Sequence, residues 1–203
     1  MFPAHDTLRS EQTRDRVLAW LAENVPQSRI DHILRVEQMA QALAQHHQVD
    51  VEQAAVAGLM HDLAKYFKPQ KLLAIAQAEN LEIDAVSEAH PHLLHAEVGA
   101  IVARDTFGVT DQDVLVAIAN HTLGKPGMNQ LSCIVFLADS LEPGRGDDPE
   151  LDALRKMSAQ DLTRAVWLTC DYSLKILIQT QRLIHPRTIA TRNWFLQKVK
   201  NSH

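Results

Sequence analysis

Apolar positions along this chain recur three and four residues apart, and no stretch alternates between apolar and polar residues with turns on either side, as an exposed sheet would. The pattern predicts an all-α protein folded as a compact multi-helix bundle. A first helix is expected near residues 10–25, with Val17, Leu18, Leu21 and Val25 on one side and Pro26 interrupting it. The next begins at Ser28-Arg29-Ile30-Asp31, a capping-box pattern, and aligns His32, Val36, Met39 and Leu43 on one stripe, so that His32 faces the core. A third opens at Asp50, with Gln53 three residues on, and runs through AAVAGLM to His61-Asp62. Ala54, Ala57 and His61 share a face there, and the small side chains let a neighbouring helix come close.

Pro69 sets off a short amphipathic helix containing Leu72, Leu73 and Ile75, with Asn80 as its stop. Beyond a loop at HPHLLH, a helix from His95 to Phe107 is closed by Gly108, and Thr110-Asp111-Gln112-Asp113 opens another that aligns Val114, Ile118 and His121. Gly124, Pro126 and Gly127 make the following loop. Leu131, Val135 and Asp139 then lie at compatible phases on a helix ended by Pro143-Gly144. Residues 144–150 read as a surface loop, and Ser158 with Asp161 as the cap of a long helix reaching to about Gln181.

A chain of 203 residues can bury one sizeable core, so residues 1–203 are expected to form a single domain. The charge balance, 25 acidic residues against 20 Lys and Arg, argues against a nucleic-acid or membrane surface, so any polyphosphate site must be positive locally. Cys133 and Cys170 lie in apolar stretches and read as buried thiols, with no disulfide framework or thiolate metal site. The N-terminal segment has no basic start with an apolar run behind it, and no later run reaches the length of a membrane span. The expectation is a soluble, cytoplasmic protein.

The candidate chemistry sits in His61-Asp62, an adjacent imidazole and carboxylate that can hold a cation from one turn of backbone. His32 lies upstream, with His95, His121 and Asp139 downstream. Asp139 is the sharpest of these, because a carboxylate among Val135, Phe136, Leu137 and Leu141 needs a cation if it is buried. His32 alone could be a core histidine, and His121 could serve a helix end. His90 and His92 compete with His95, which is preferred because it begins a packed helix while the other two flank Pro91. His5, His46, His47, His185 and His203 have no comparable setting.

Nitrogen and carboxylate donors together suit a transition ion better than magnesium or calcium. Six such ligands suggest two ions, with Asp62 shared. One would take His32, His61, Asp62 and Asp139; the other would take Asp62, His95 and His121. A pair of ions can acidify a water and hold a phosphoryl oxygen for in-line attack, which points to hydrolysis of a phosphoester or phosphoanhydride.

The order His, His-Asp, His, His, Asp resembles the HD superfamily of metal-dependent phosphohydrolases. The segments IDHILRV, LMHDLAKYF, LLHAEVGA, NHTLGKPGMN, FLADSLEPGR and TIATRNWF further resemble the HD-domain symmetrical bis(5′-nucleosyl)-tetraphosphatases (YqeK-like), over residues 28–196. The resemblance implies an all-α HD-domain bundle and a two-metal centre usually holding iron, with manganese or cobalt also compatible with the ligands. It also implies cleavage of diadenosine tetraphosphate to two ADP. Carried over, the metal set is His32, His61, Asp62, His95, His121 and Asp139. Lys65, Lys125 and Arg145 stand where such relatives present cations to the polyphosphate; Thr122 and Gly124 offer a hydroxyl and an uncrowded N–H, and Arg29 is a further candidate. Asp62, Lys65 and Arg145 are the expected catalytic residues. Residues 1–27 match nothing specific, and could pack as an added helix or mediate homo-oligomer formation.

Other classes fit less well. A cyclic-dinucleotide phosphodiesterase would carry a GYP motif where this chain reads NHTLGKPGMN, and a guanosine tetraphosphate hydrolase would show an acidic pair where Ala64-Lys65-Tyr66 stands. A 5′-deoxynucleotidase is the chemically closest alternative. A non-catalytic nucleotide-binding module is the other, but it does not call for the full ligand set.

Overall fold

The computed structural model describes residues 4–201, with side chains from residue 12 onward. His5 and His203 therefore lie outside the side chains described. Among the described residues every regular element is helical. The helices are α1 (Ala4–Asn24), α2 (Gln27–His46), α3 (Val51–Met60), α4 (Pro69–Ala78), α5 (Ala85–Ala89), α6 (His95–Phe107), α7 (Gln112–Asn120), α8 (Gln130–Leu141), α9 (Pro149–Gln160), α10 (Leu162–Gln179) and α11 (Pro186–Asn201). Short 3₁₀ turns at Pro91–Leu94 and Pro143–Arg145 lead into α6 and out of α8. No helix of the described residues is long and apolar enough to cross a membrane.

Helix α8 is the axis of the core. Leu131 to Ala138 are buried without interruption, because α2, α3, α7, α9 and α10 pack around it. A helix apolar on all sides is stable only when surrounded in this way. Helices α2 and α3 cross at Gly58, where an added Cβ would stand 3.0 Å from the Glu37 Cα, so the small-residue face of α3 serves a main-chain approach. The starts of α3, α7 and α8 are fixed by side-chain caps. Asp50 accepts from the Glu52 and Gln53 N–H groups, Asp111 from those of Asp113 and Val114, and Asn129 from that of Ser132. Gly108 takes the left-handed conformation that closes α6.

Several expected boundaries differ. Helix α2 starts at Gln27 with Pro26 before it and no side-chain cap; Gln27 instead donates to Asp31 at 2.9 Å. The HPHLLH region is ordered as a 3₁₀ turn at Pro91–Leu94 that runs into α6, with the short helix α5 just before it. The surface loop narrows to residues 146–148, because Asp148 caps an additional helix, α9, through the Glu150 and Leu151 N–H groups. Ser158 is buried within α9, where its hydroxyl donates to the Arg155 carbonyl, so only Asp161 caps α10. Helix α11 has no counterpart among the expected elements. Cys133 and Cys170 are free and buried, and burial pushes both thiols up to about 12.

Candidate metal centre

Four helices and the turn after α3 deliver six side chains to one place. His32 comes from the interior of α2, His61 ends α3, Asp62 follows it, His95 begins α6, His121 ends α7, and Asp139 lies near the end of α8. The turn after α3 is pressed between neighbours: a Cβ on Gly99 of α6 would meet the His61 carbonyl at 3.2 Å.

Asp62 stands at the middle, with its two oxygens facing opposite ways. Oδ2 lies 3.4 Å from His61 Nε2 and 3.9 Å from His32 Nε2. Oδ1 lies 3.3 Å from His95 Nε2 and 3.7 Å from His121 Nε2. Asp139 belongs to the first side, its Oδ1 being 3.1 Å from His32 Nε2 and 3.8 Å from His61 Nε2. Two sets, His32–His61–Asp62 and Asp62–His95–His121, each offer donor atoms within 4.8 Å of one another.

The donors fit cations of the kind the sequence implies. The Nε2 atoms of His32 and His61 are buried without a hydrogen-bond partner, an arrangement that costs free energy unless something positive engages them. The Nε2 atoms of His95 and His121 stand 3.1 Å apart, with the Thr122 hydroxyl 3.2 and 2.9 Å from them. The opposite ring nitrogen of each histidine is anchored. His61, His95 and His121 donate from Nδ1 to the carbonyls of Gly58, His92 and Ile118, each three residues back. His32 Nδ1 lies 3.0 Å from Glu142 Oε1. All four Nε2 atoms are thereby left facing inward.

Ionisation follows from these surroundings. Burial opposes a charged Asp62, but His61 and the contacts from His121 and His95 outweigh it and hold its pKa well below the ordinary value. Asp139 is likewise held low against burial, by His32, His61, His121 and Arg145. Burial, reinforced by His121 and Lys65, pulls His95 down to about 4, which leaves it neutral and able to donate a lone pair at neutral pH. Burial also works against a charged His61, but Asp62, Asp139 and the Gly58 carbonyl overcome it and raise its pKa.

Of the residues expected to meet substrate, four border this centre. Arg29 Nη1 donates to Asp62 Oδ2 at 3.0 Å, Lys65 Nζ lies 3.2 Å from His95 Nε2, and Thr122 touches His95 and His121. Arg145 donates through Nε to the Asp139 carbonyl and through Nη2 to its carboxylate. The structure does not bring the other two there. Gly124 is buried at φ 65°, where a Cβ would strike Thr191 Cγ2 of α11 at 2.6 Å, so its missing side chain admits α11. Lys125 is exposed and lines a separate cavity of about 490 Å³ with Glu82, Asp84, His185 and Arg187.

Sequence reasoning missed Glu142 and Arg35. Glu142 is buried and receives Arg35 Nε and the Gly144 N–H as well as His32. Burial alone would raise its pKa, yet Arg35, His32 and Gly144 bring it below the ordinary value. Its signal was available as the acid three residues after Asp139 in FLADSLEPGR.

Comparison with known proteins agrees with this arrangement. Residues 29–144 match the HD domain family. The symmetrical bis(5′-nucleosyl)-tetraphosphatase of Bacillus subtilis is 31% identical over 183 residues, covering 90% of this chain and 97% of its own. Its namesake from Halalkalibacterium halodurans is 32% identical over 187 residues, covering 92% and 99%. A crystal structure of an HD superfamily hydrolase from Clostridium acetobutylicum superposes with a TM-score of 0.86 at 35% identity, covering 91% of this chain and 97% of that one. The chain belongs to the HD domain family and, within it, groups with the symmetrical bis(5′-nucleosyl)-tetraphosphatases.

Proposed function

We propose that this protein is a metal-dependent hydrolase that cleaves diadenosine tetraphosphate, and related dinucleoside tetraphosphates, symmetrically to two nucleoside diphosphates. The observation that carries the reading is the division of Asp62 between two histidine sets, which would let this one carboxylate help hold two ions. The names of the two relatives above supply the substrate. The donors suit iron, with manganese or cobalt as alternatives, because mixed imidazole and carboxylate shells favour transition ions. Such ions, when bound, supply an acidified water and neutralise charge at a phosphoryl oxygen.

The protein's own groups hold and orient the polyphosphate. Arg29 and Arg145 stand on the His32–Asp139 side, and Lys65 and Thr122 on the His95–His121 side, so cationic or hydrogen-bonding groups flank Asp62 both ways. A chain of four phosphates bound across them puts a central anhydride above Asp62, which is the basis for symmetric cleavage. Lys65 and Arg145 stabilise charge that grows on the transferring group, and the departing diphosphate needs no separate acid once a cation engages it. On this reading the protein acts in the cytoplasm on a small molecule, without a nucleic-acid or membrane partner.

Chromatography of the products tests the proposal. After anaerobic purification and elemental analysis, the protein should release two ADP from each diadenosine tetraphosphate. Equal ATP and AMP would reject symmetric cleavage, and turnover confined to deoxynucleoside monophosphates would reject the substrate class.

A further inference from the structure

Three of the four imidazoles are anchored by a main-chain carbonyl three residues back, at or next to a helix end. Gly58 and Ile118 lie in the last turns of α3 and α7, and His92 in the 3₁₀ turn before α6; the Ile118 and His92 carbonyls take the backbone N–H of the same histidine as well as its Nδ1–H. His32 does not use this device. It sits inside α2, where the neighbouring carbonyls are committed to the helix, and its Nδ1 turns instead to Glu142, 110 residues away in sequence.

Glu142 is built in rather than incidental. Its side chain is 2% exposed, Arg35 and the Gly144 N–H fix Oε2, and Arg35 also reaches Oε1 at 3.4 Å. A Cβ on Gly144 would stand well inside van der Waals contact with the Arg35 guanidinium, so a side chain there makes the guanidinium shift against the carboxylate. A carboxylate behind an imidazole fixes its tautomer and ring angle and makes the distal nitrogen more basic. The His32 half also offers one more protein ligand, Asp139, than the His95 half.

We propose that Glu142 is a positioning residue for His32, and that it makes the His32–His61–Asp139 half of the centre the tighter of two unequal metal positions. This rests on the two-metal reading above, though not on the identity of the substrate.

The test is calorimetric titration of the chelator-treated full-length protein with Co²⁺. The wild type should show two classes of binding. Glu142→Gln, which keeps an acceptor for His32 but loses the charge, should weaken the tighter class by about 10- to 100-fold and leave the weaker one unchanged. Gly144→Ala, which alters neither Glu142 nor any ligand, should weaken the same class by less. Unchanged tight binding in both variants, or equal weakening of both classes, would overturn the proposal. ADP release is read separately: its absence beside a selective Co²⁺ defect would reject the substrate assignment while supporting the role of Glu142.

Discussion

On the His95 side of Asp62 both imidazoles lean on carbonyls three residues back, whereas on the opposite side His32 depends on a carboxylate brought in by a distant turn. The first kind of support forms wherever a helix ends correctly. The second exists only after α2 and α8 have packed together. A centre built in this way has one half anchored locally throughout and one half that needs the tertiary fold to hold His32, with Asp62 serving both.

That contrast can be broken most severely at the shared residue. Asp62→Ala should lower kcat by more than about 10²-fold, the scale of losing one charge-stabilising group, and elemental analysis should find less metal per chain. Retained full activity would reject its shared role. Asp139→Asn removes charge from one half only. It should cut turnover by about 10²-fold while leaving one class of metal binding intact, as Co²⁺ titration would show.

The local half leans on α11 through Gly124, which turns the question to stability. Gly124→Ala imposes both a left-handed φ and a collision with Thr191, and should lower Tm by roughly 5–10 °C in a thermal melt. Adding Thr191→Ser removes the struck methyl group and should restore part of the loss; no recovery would mean that the backbone conformation alone sets the cost. The smallest effect separates two lysines. Lys65→Ala, beside His95, should raise KM for diadenosine tetraphosphate more than Lys125→Ala, whose side chain lines another cavity. Steady-state kinetics with the reverse order would place the polyphosphate differently.

The locally anchored histidines were also the more legible in sequence. The caps Asp50 and Asp111 and the stop Gly108 are short-range signals, and the helices they bound carry His61, His95 and His121 to their ends. Asp139 was conspicuous because a carboxylate among Val135, Phe136 and Leu137 has few other uses. Glu142 was obscured because its partners, His32 and Arg35, are more than a hundred residues away. Helix α9 was missed for a local reason: Gly146-Asp147-Asp148-Pro149 spells a turn, and the helix behind it buries only the narrow stripe of Leu151, Leu154 and Ser158. Gly124 and Lys125 were assigned by their motif, but a motif does not say which way a loop turns, and the approach of α11 decides that.

The crossing of α2 and α3 at Gly58 has a last consequence. Main chain rests on main chain there, with no flexible side chain between, a short distance along each helix from His32 and His61. A close-packed contact of this kind compresses little. The gap between those two imidazoles is accordingly set by a hard stop, and whatever adjustment ligands of different size require must come from the arginines and lysine at the rim.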